Sequence, residues 1–206
     1  MIVTFLWGGT FLAIQHGLTA SGPLFFVGFR FTTAALFAAL LTGPAIRRWK
    51  RQEVFAGFLI SLAIFAGFFL QTYGLQSIAS SKSAFITAFY VPLVPILQWI
   101  VLRQSPRLMS WIGIALAFAG LMFVASPDNL KQFTLNWGEI ATLGGTVAFA
   151  FEVILISRFA GALDSRRITV AQLAFTALLC FVIMPFTQEA IPPFSLSLLI
   201  FAGGLG

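Results

Sequence analysis

The chain has 206 residues, of which 59% are hydrophobic and 9% are charged, and its formal net charge is +6. A soluble domain carries about 25% charged residues, so this composition excludes an ordinary soluble protein. Apolar runs of about 20 residues recur along the chain and predict an all-α, polytopic helical membrane protein. The alternating segments of a transmembrane barrel are missing from the sequence. The basic residues occupy short loops between the runs. We therefore expect the protein to lie in a lipid bilayer and not to bind nucleic acid.

The apolar runs, in chain order, predict seven spans and part of an eighth. Their approximate ranges are 2–20, 24–43, 54–75, 80–103, 108–125, 137–157, 168–186 and 194–206. The last run is too short to cross a hydrocarbon core of about 30 Å. We therefore expect the chain to be cut within a helix.

The distribution of Lys and Arg among the loops predicts the orientation of the protein. The loops after the second, fourth and sixth spans hold nine basic residues, and the other loops hold two. Because basic loops stay in the cytoplasm, we expect a cytoplasmic N-terminus in a bacterial inner membrane. Loops 44–53 and 158–167 should then be cytoplasmic, and loop 126–136 external.

The fourth predicted span contains two prolines, Pro92 and Pro95, within 20 uncharged residues between Lys82 and Arg103. Each proline removes a backbone hydrogen bond and frees a carbonyl one turn earlier. Lipid cannot satisfy such carbonyls, so the span should be kinked and should lie inside a bundle or beside a wet cavity.

Polar side chains follow one face of the same span. Ser83, Thr87 and Tyr90 recur at helical spacing, and Lys82 precedes them. This pattern suits a substrate path in a transporter, with Lys82 attracting an anionic group. A packing helix with a proline kink and an interfacial lysine is the equal alternative.

Charged and amide side chains inside the other spans are further candidates. Arg30 either contacts substrate or has a structural role, bonding carbonyls or Glu139, because an arginine in mid-membrane must find a partner. Glu152 is the coupling candidate, although it could instead reach the cytoplasmic interface and pair with a basic loop residue. Gln71 and Gln98 can bond across a bundle or to a polar substrate.

Several sequence motifs resemble the EamA-type transporters of the drug/metabolite transporter superfamily. They are WGGTF at 7–11, FFVGFRFTTAAL at 25–36, YGLQSIASSKSAFITAFYVPLVPIL at 73–97 and NWGEIATLGGTVAFAFEVILISR at 136–158. The triplet at 8–10 also recurs at 144–146, which indicates an inverted repeat of five spans. The family often has Gly-Glu after the fourth span, where this chain has Arg103-Gln104, so no glutamate role is carried over there.

The resemblance implies ten helices in two inverted halves around a central cavity. Residues 1–126 would form the first half, 127–136 an external connection, and 137–206 the beginning of the second half. Trp7, in the first motif, becomes a candidate for covering the apolar part of a substrate. We expect a monomer when the protein is full length.

The function indicated is a secondary transporter, an exporter or a facilitator, that moves small organic metabolites such as amino acids by alternating access. Span 2–20 has no acidic residue, so we expect little proton dependence. The alternatives are a proton-coupled drug/metabolite antiporter and a non-transporting packing subunit. Intramembrane serine proteases and metalloproteases need motifs that the single histidine cannot complete, so we expect no enzyme, cofactor or metal site.

Overall fold

The computed structural model describes residues 22–103, 108–124, 136–159, 161–187 and residue 189. Within these ranges the chain is helical and has no strand. The α-helices are α1 Pro23–Thr42, α2 Arg51–Gly74, α3 Ser80–Ala88, α4 Tyr90–Leu102, α5 Leu108–Val124, α6 Trp137–Phe159 and α7 Ser165–Ile183. Short 3₁₀ turns, Gly43–Arg47 and Met184–Thr187, follow α1 and α7. The predicted spans at 2–20 and 194–206 lie outside the described residues.

Five segments of the described chain are long and apolar enough to cross a membrane. They are Pro23–Thr42, Arg51–Gly74, Ser80–Val101, Trp137–Phe159 and Ser165–Thr187. The prediction of an all-α polytopic membrane protein is therefore confirmed. Helix α5 is apolar but shorter, with 17 residues.

The fourth predicted span is divided into α3 and α4 at Phe89. Pro92 lies in the first turn of α4, where its missing N–H removes little because that turn has no intrahelical acceptor. Its ring disfavours helical bonding to the carbonyl four residues earlier, at Ala88, where α3 ends. Pro95 lies inside α4. The prolines predict a kink in this span, and the structure shows a one-residue interruption of the helix one turn before Pro92.

The N-terminus of α1 is capped by a side chain from the far end of the described chain. Pro23 occupies the first turn, and the preceding Gly22 has no side chain to cap it. The carboxylate of Glu189 accepts hydrogen bonds from the backbone N–H groups of Leu24, at 3.0 Å, and Phe25, at 3.3 Å. Burial raises the pKa of the Glu189 carboxyl, and these two hydrogen bonds oppose the rise. The bonds fix the start of α1 beside the end of α7.

Helix α2 is the centre of the bundle and packs closely against α6 along a row of glycines. A Cβ atom added to Gly145 would lie 2.8 Å from the carbonyl oxygen of Gly67. One added to Gly138 would lie 2.9 Å from the carbonyl oxygen of Gly74. Because the earlier glycine of α2 meets the later glycine of α6, the helices run antiparallel. Such small residues let membrane helices approach backbone to backbone.

The apolar core lies where α1, α2 and α7 meet. It includes Leu24 and Phe31 from α1, Ile60 and Ile64 from α2, and Cys180 from α7, all buried. Cys180 is fully buried and has a free thiol. Helices α1 and α2 are from the first predicted half and α7 is from the second, so this core joins the two.

Candidate functional site

A cavity of about 220 Å³ lies beside the glycine row, between α2, α4 and α6. Its wall combines polar and aromatic side chains: Phe68, Gln71, Tyr90, Phe149, Glu152 and Val153. A second cavity of about 380 Å³ lies between α1, α2, α6 and α7. Arg30 and Gln172 line this second cavity. Phe68 and Glu152 line both, so the two cavities adjoin at these side chains.

Arg30 reaches this region from α1. Its guanidinium carbon lies 5.1 Å from the centre of the Phe68 ring and 6.0 Å from that of Phe31. A guanidinium over an aromatic face gains electrostatic attraction of about 0.5–2 kcal/mol, more where water is scarce. The rings therefore support a cation that would otherwise be costly within a membrane. Arg30 therefore lines the same cavity as Glu152.

The polar residues of the fourth predicted span lie in two different places. Some are buried where helices contact one another, and one lines the smaller cavity. Ser83 and Thr87 are buried in α3. The side-chain amide of Gln71 donates a hydrogen bond of 2.9 Å to the hydroxyl oxygen of Thr87. Thr146 of α6 donates to the carbonyl oxygen of Ile86 at 3.2 Å. These bonds tie α2, α3 and α6 together, while Tyr90, beyond the break, lines the cavity.

Lys82 forms an ion pair with the carboxylate of Glu139 at the N-terminal ends of α3 and α6. Glu139 is fully buried, whereas the side chain of Lys82 is 21% exposed. The backbone N–H of Glu139 also donates to the side-chain oxygen of Asn136, at 2.9 Å, which caps α6. Sequence reasoning left Glu139 as a partner for Arg30, and the structure brings its carboxylate to Lys82 instead.

A second ion pair lies at the opposite end of the bundle. Arg167, at the start of α7, contacts Glu53, at the start of α2, with 2.7 Å between nitrogen and oxygen. The same guanidinium donates to the carbonyl oxygen of Arg48, at 2.8 Å. Glu53 is fully buried and also accepts the backbone N–H of Lys50, at 2.9 Å. These contacts bring the two most basic loops, 44–53 and 158–167, together at one end of the bundle.

The remaining sequence candidates take other positions. Gln98 lies in α4 and is half-buried, and it lines neither of the two cavities. Trp7 lies outside the described residues. In the described part of the chain, no group of three His, Cys, Asp or Glu side chains could hold a metal ion.

Two aromatic residues of the site were missed by sequence reasoning. Phe68 precedes Gln71 by three positions, and Phe149 precedes Glu152 by three. Residues three apart share a helix face, so the positions of Gln71 and Glu152 could have indicated that Phe68 and Phe149 face the same cavity. Their rings lie 5.0 Å apart, edge to face, and form one wall of the smaller cavity. With 25 phenylalanines in the chain, that signal was hard to distinguish from lipid-facing residues.

Apolar helices long enough to cross a membrane, packed around cavities with charged and aromatic walls, define a multi-pass membrane protein. The model of the EamA-like transporter family matches residues 1–126, which is more than half of the chain. The chain belongs to the EamA-like transporter family, as its motifs predict.

Several relatives are named as transporters. An uncharacterized transporter of Archaeoglobus fulgidus is 31% identical over 77% of this chain and 47% of its own length. YvbV of Bacillus subtilis, also an uncharacterized transporter, is 26% identical over 82% of this chain and 55% of its own length. YedA of Escherichia coli K12, an uncharacterized inner membrane transporter, is 29% identical over 74% and 50%. The chain thus spans about half the length of these relatives.

The fold is similar to that of a solved protein. A chain described as "Crystal structure of protein" superposes with a TM-score of 0.60 and 13% sequence identity. The similarity covers 98% of this chain and 76% of the other. At this identity the comparison supports the helical architecture alone.

Proposed function

We propose that the full-length protein is a secondary transporter, acting as a facilitator or exporter, for small zwitterionic metabolites such as amino acids. The observation that carries this proposal is that Arg30 and Glu152 line the same cavity. Intramembrane charges facing a cavity mark substrate or ion paths in membrane proteins. A guanidinium matches a substrate carboxylate, and a carboxylate matches a substrate ammonium group.

The aromatic walls suit the apolar part of such a solute. Phe68 and Phe149 adjoin Glu152, and Gln71 and Tyr90 add neutral hydrogen-bonding groups. Ligand sites are mostly apolar with a few placed polar groups, and the larger cavity falls within the usual range of about 300–1,000 Å³. Lys82 is a weaker candidate for substrate contact, since it already pairs with Glu139.

Alternating access is the proposed mechanism, and the two ion pairs at opposite ends of the bundle support it. Lys82–Glu139 and Arg167–Glu53 each join the predicted first half to the predicted second half. Opening the cavity to one side of the membrane would separate the ion pair at that end, while the ion pair at the other end stays formed. We propose a monomer in the bacterial inner membrane, a location that the name of the relative YedA also gives.

A proton-coupled antiporter is the second candidate, favoured by one observation. Glu152 lines both cavities, so a proton on its carboxyl would meet any solute in either of them. The sequence argument against coupling expected Glu152 to pair with a basic loop residue. Arg167, one of the three arginines counted in loop 158–167, instead contacts Glu53 and Asp164.

Uptake into proteoliposomes separates the two candidates. The full-length protein is reconstituted, and uptake of a panel of labelled amino acids is followed with and without an imposed pH gradient. A facilitator brings the internal solute to the external concentration, whatever the gradient. Accumulation above that level, lost in Glu152→Gln, would establish the antiporter. Failure to move any solute that binds the purified protein would support the packing subunit.

A further inference from the structure

A surface groove of about 430 Å³ lies between α2 and α7, away from the two cavities described above. Its mouth is formed by the residues that precede and begin α2. Its wall is formed by aromatic side chains further along α2 and on α7, toward the membrane centre. These residues are Trp49, Lys50 and Arg51 at the mouth and Phe55, Phe58 and Phe175 along the wall. The groove is not used by the proposed transport path.

Among the residues that the structure describes, the cations at the mouth of the groove form no ion pair. Lys50 and Arg51 are both exposed. The nearest acidic residue along the chain, Glu53, is fully buried, and its carboxylate is taken by Arg167 and by the backbone N–H of Lys50. Glu53 therefore cannot draw the two cationic side chains inward. An anion at the mouth would meet both of them.

The wall of the groove faces outward and is apolar. Phe55 is 59% exposed and Phe58 is 39% exposed. Phe58 stacks edge to face with Phe175 across the helix boundary, with 5.6 Å between ring centres. From Arg51 to Phe58 the helix descends about 10 Å, at 1.5 Å per residue, from the charged end toward the membrane centre. Such a wall is long enough to follow the upper part of an acyl chain.

We propose that this groove binds one anionic phospholipid. Its phosphate lies against Lys50 and Arg51, and one acyl chain lies along Phe55, Phe58 and Phe175. Basic pockets at the edge of membrane helices recognise anionic headgroups, and aromatic rings such as that of Trp49 settle at the headgroup level. A free phosphate would use the cations alone, whereas a lipid also uses the exposed aromatic wall.

Native mass spectrometry of the full-length protein in detergent tests the proposal. The probes are phosphatidylglycerol and phosphatidylcholine with the same acyl chains. We expect wild type to retain phosphatidylglycerol preferentially and Lys50→Gln/Arg51→Gln to lose roughly tenfold of that preference. Arg48→Gln is the matched control, because it removes an exposed cation of the same loop that does not line the groove. Equal loss in the control would overturn the proposal, since it would indicate general surface charge.

The apolar part of the site is tested separately. Phe55→Ala, which removes an exposed ring, should lower retention of both lipids without changing the preference between headgroups. Millimolar inorganic phosphate should not displace the bound lipid. Displacement by phosphate, or full retention in Phe55→Ala, would contradict a lipid site. If a variant fails to elute as a single species, a salt titration of wild type decides: phosphatidylglycerol retention should fall to the phosphatidylcholine level, and a salt-independent preference would overturn the proposal.

Discussion

The ion pair between Lys82 and Glu139 changes the role that is assigned to Lys82. From sequence, Lys82 was a cation at the mouth of a substrate path. In the structure it neutralises a carboxylate that is fully buried at the start of α6. Removing one member of a buried pair leaves the other without compensation, and that loss costs about 3–5 kcal/mol.

Lys82→Gln should therefore destabilise the protein more than Lys82→Gln/Glu139→Gln. The double variant removes both charges and leaves two neutral groups in the same place. Thermal unfolding of all four members of the cycle in detergent gives the coupling free energy, which we expect to be about 1–3 kcal/mol. Additive effects of the two single substitutions would show that the pair does not hold the helices together.

At the scale of the helices, the glycine row between α2 and α6 determines how closely the predicted halves approach. A methyl group at position 145 would lie 2.8 Å from a backbone carbonyl oxygen of α2, which cannot rotate away. Gly145→Ala should lower the free energy of unfolding by about 1–3 kcal/mol through overpacking.

Gly113→Ala in α5 is the control for that substitution. A Cβ atom there has no described neighbour within 4 Å, so the helix gains propensity without a clash. Thermal unfolding in detergent compares the two variants. A Gly145→Ala protein as stable as Gly113→Ala would mean that α2 and α6 are not packed as described.

The helices themselves were largely predictable, because twenty apolar residues in a row leave few alternatives. The predicted span 54–75 corresponds to α2, Arg51–Gly74, and the difference is informative. Hydropathy excludes the charged first turn, which is helical because the Glu53 carboxylate accepts the N–H of Lys50. The break at Phe89 followed from Pro92, whose backbone chemistry is local and therefore visible in sequence.

The pairing of polar residues was not predictable in the same way. Glu53 and Arg167 lie 114 positions apart, and Lys82 and Glu139 lie 57 apart in the numbering. Hydropathy shows that these residues must find partners but carries no information about which helices are neighbours. Arg30 and Glu152 were each singled out as intramembrane charges, but only the packing of α1 with α2, α6 and α7 places them at one cavity.

For the whole molecule, the contact between loops 44–53 and 158–167 requires that both lie on the same side of the membrane. The excess of Lys and Arg in these loops predicts the cytoplasmic side. In a Cys180→Ala background, cysteines at Arg48 and Arg166 should react with an impermeant thiol reagent only after cells are opened. Gln76→Cys, exposed at the other end of α2, should react in intact cells. Labelling of position 48 from outside would reverse the proposed orientation.

The central claim is that a zwitterionic solute crosses the membrane through the cavity lined by Arg30 and Glu152. The most direct test measures exchange of labelled amino acids in proteoliposomes containing full-length wild type, Arg30→Gln, Arg30→Lys or Arg103→Gln. Arg30→Gln should lose at least about tenfold in exchange rate, consistent with loss of a charge-assisted hydrogen bond of about 1.5–3 kcal/mol. Arg30→Lys should recover part of the rate, because it restores the charge without the planar fork. Arg103, exposed at the end of α4, should be replaceable without effect. Equal exchange by wild type and Arg30→Gln would contradict the claim.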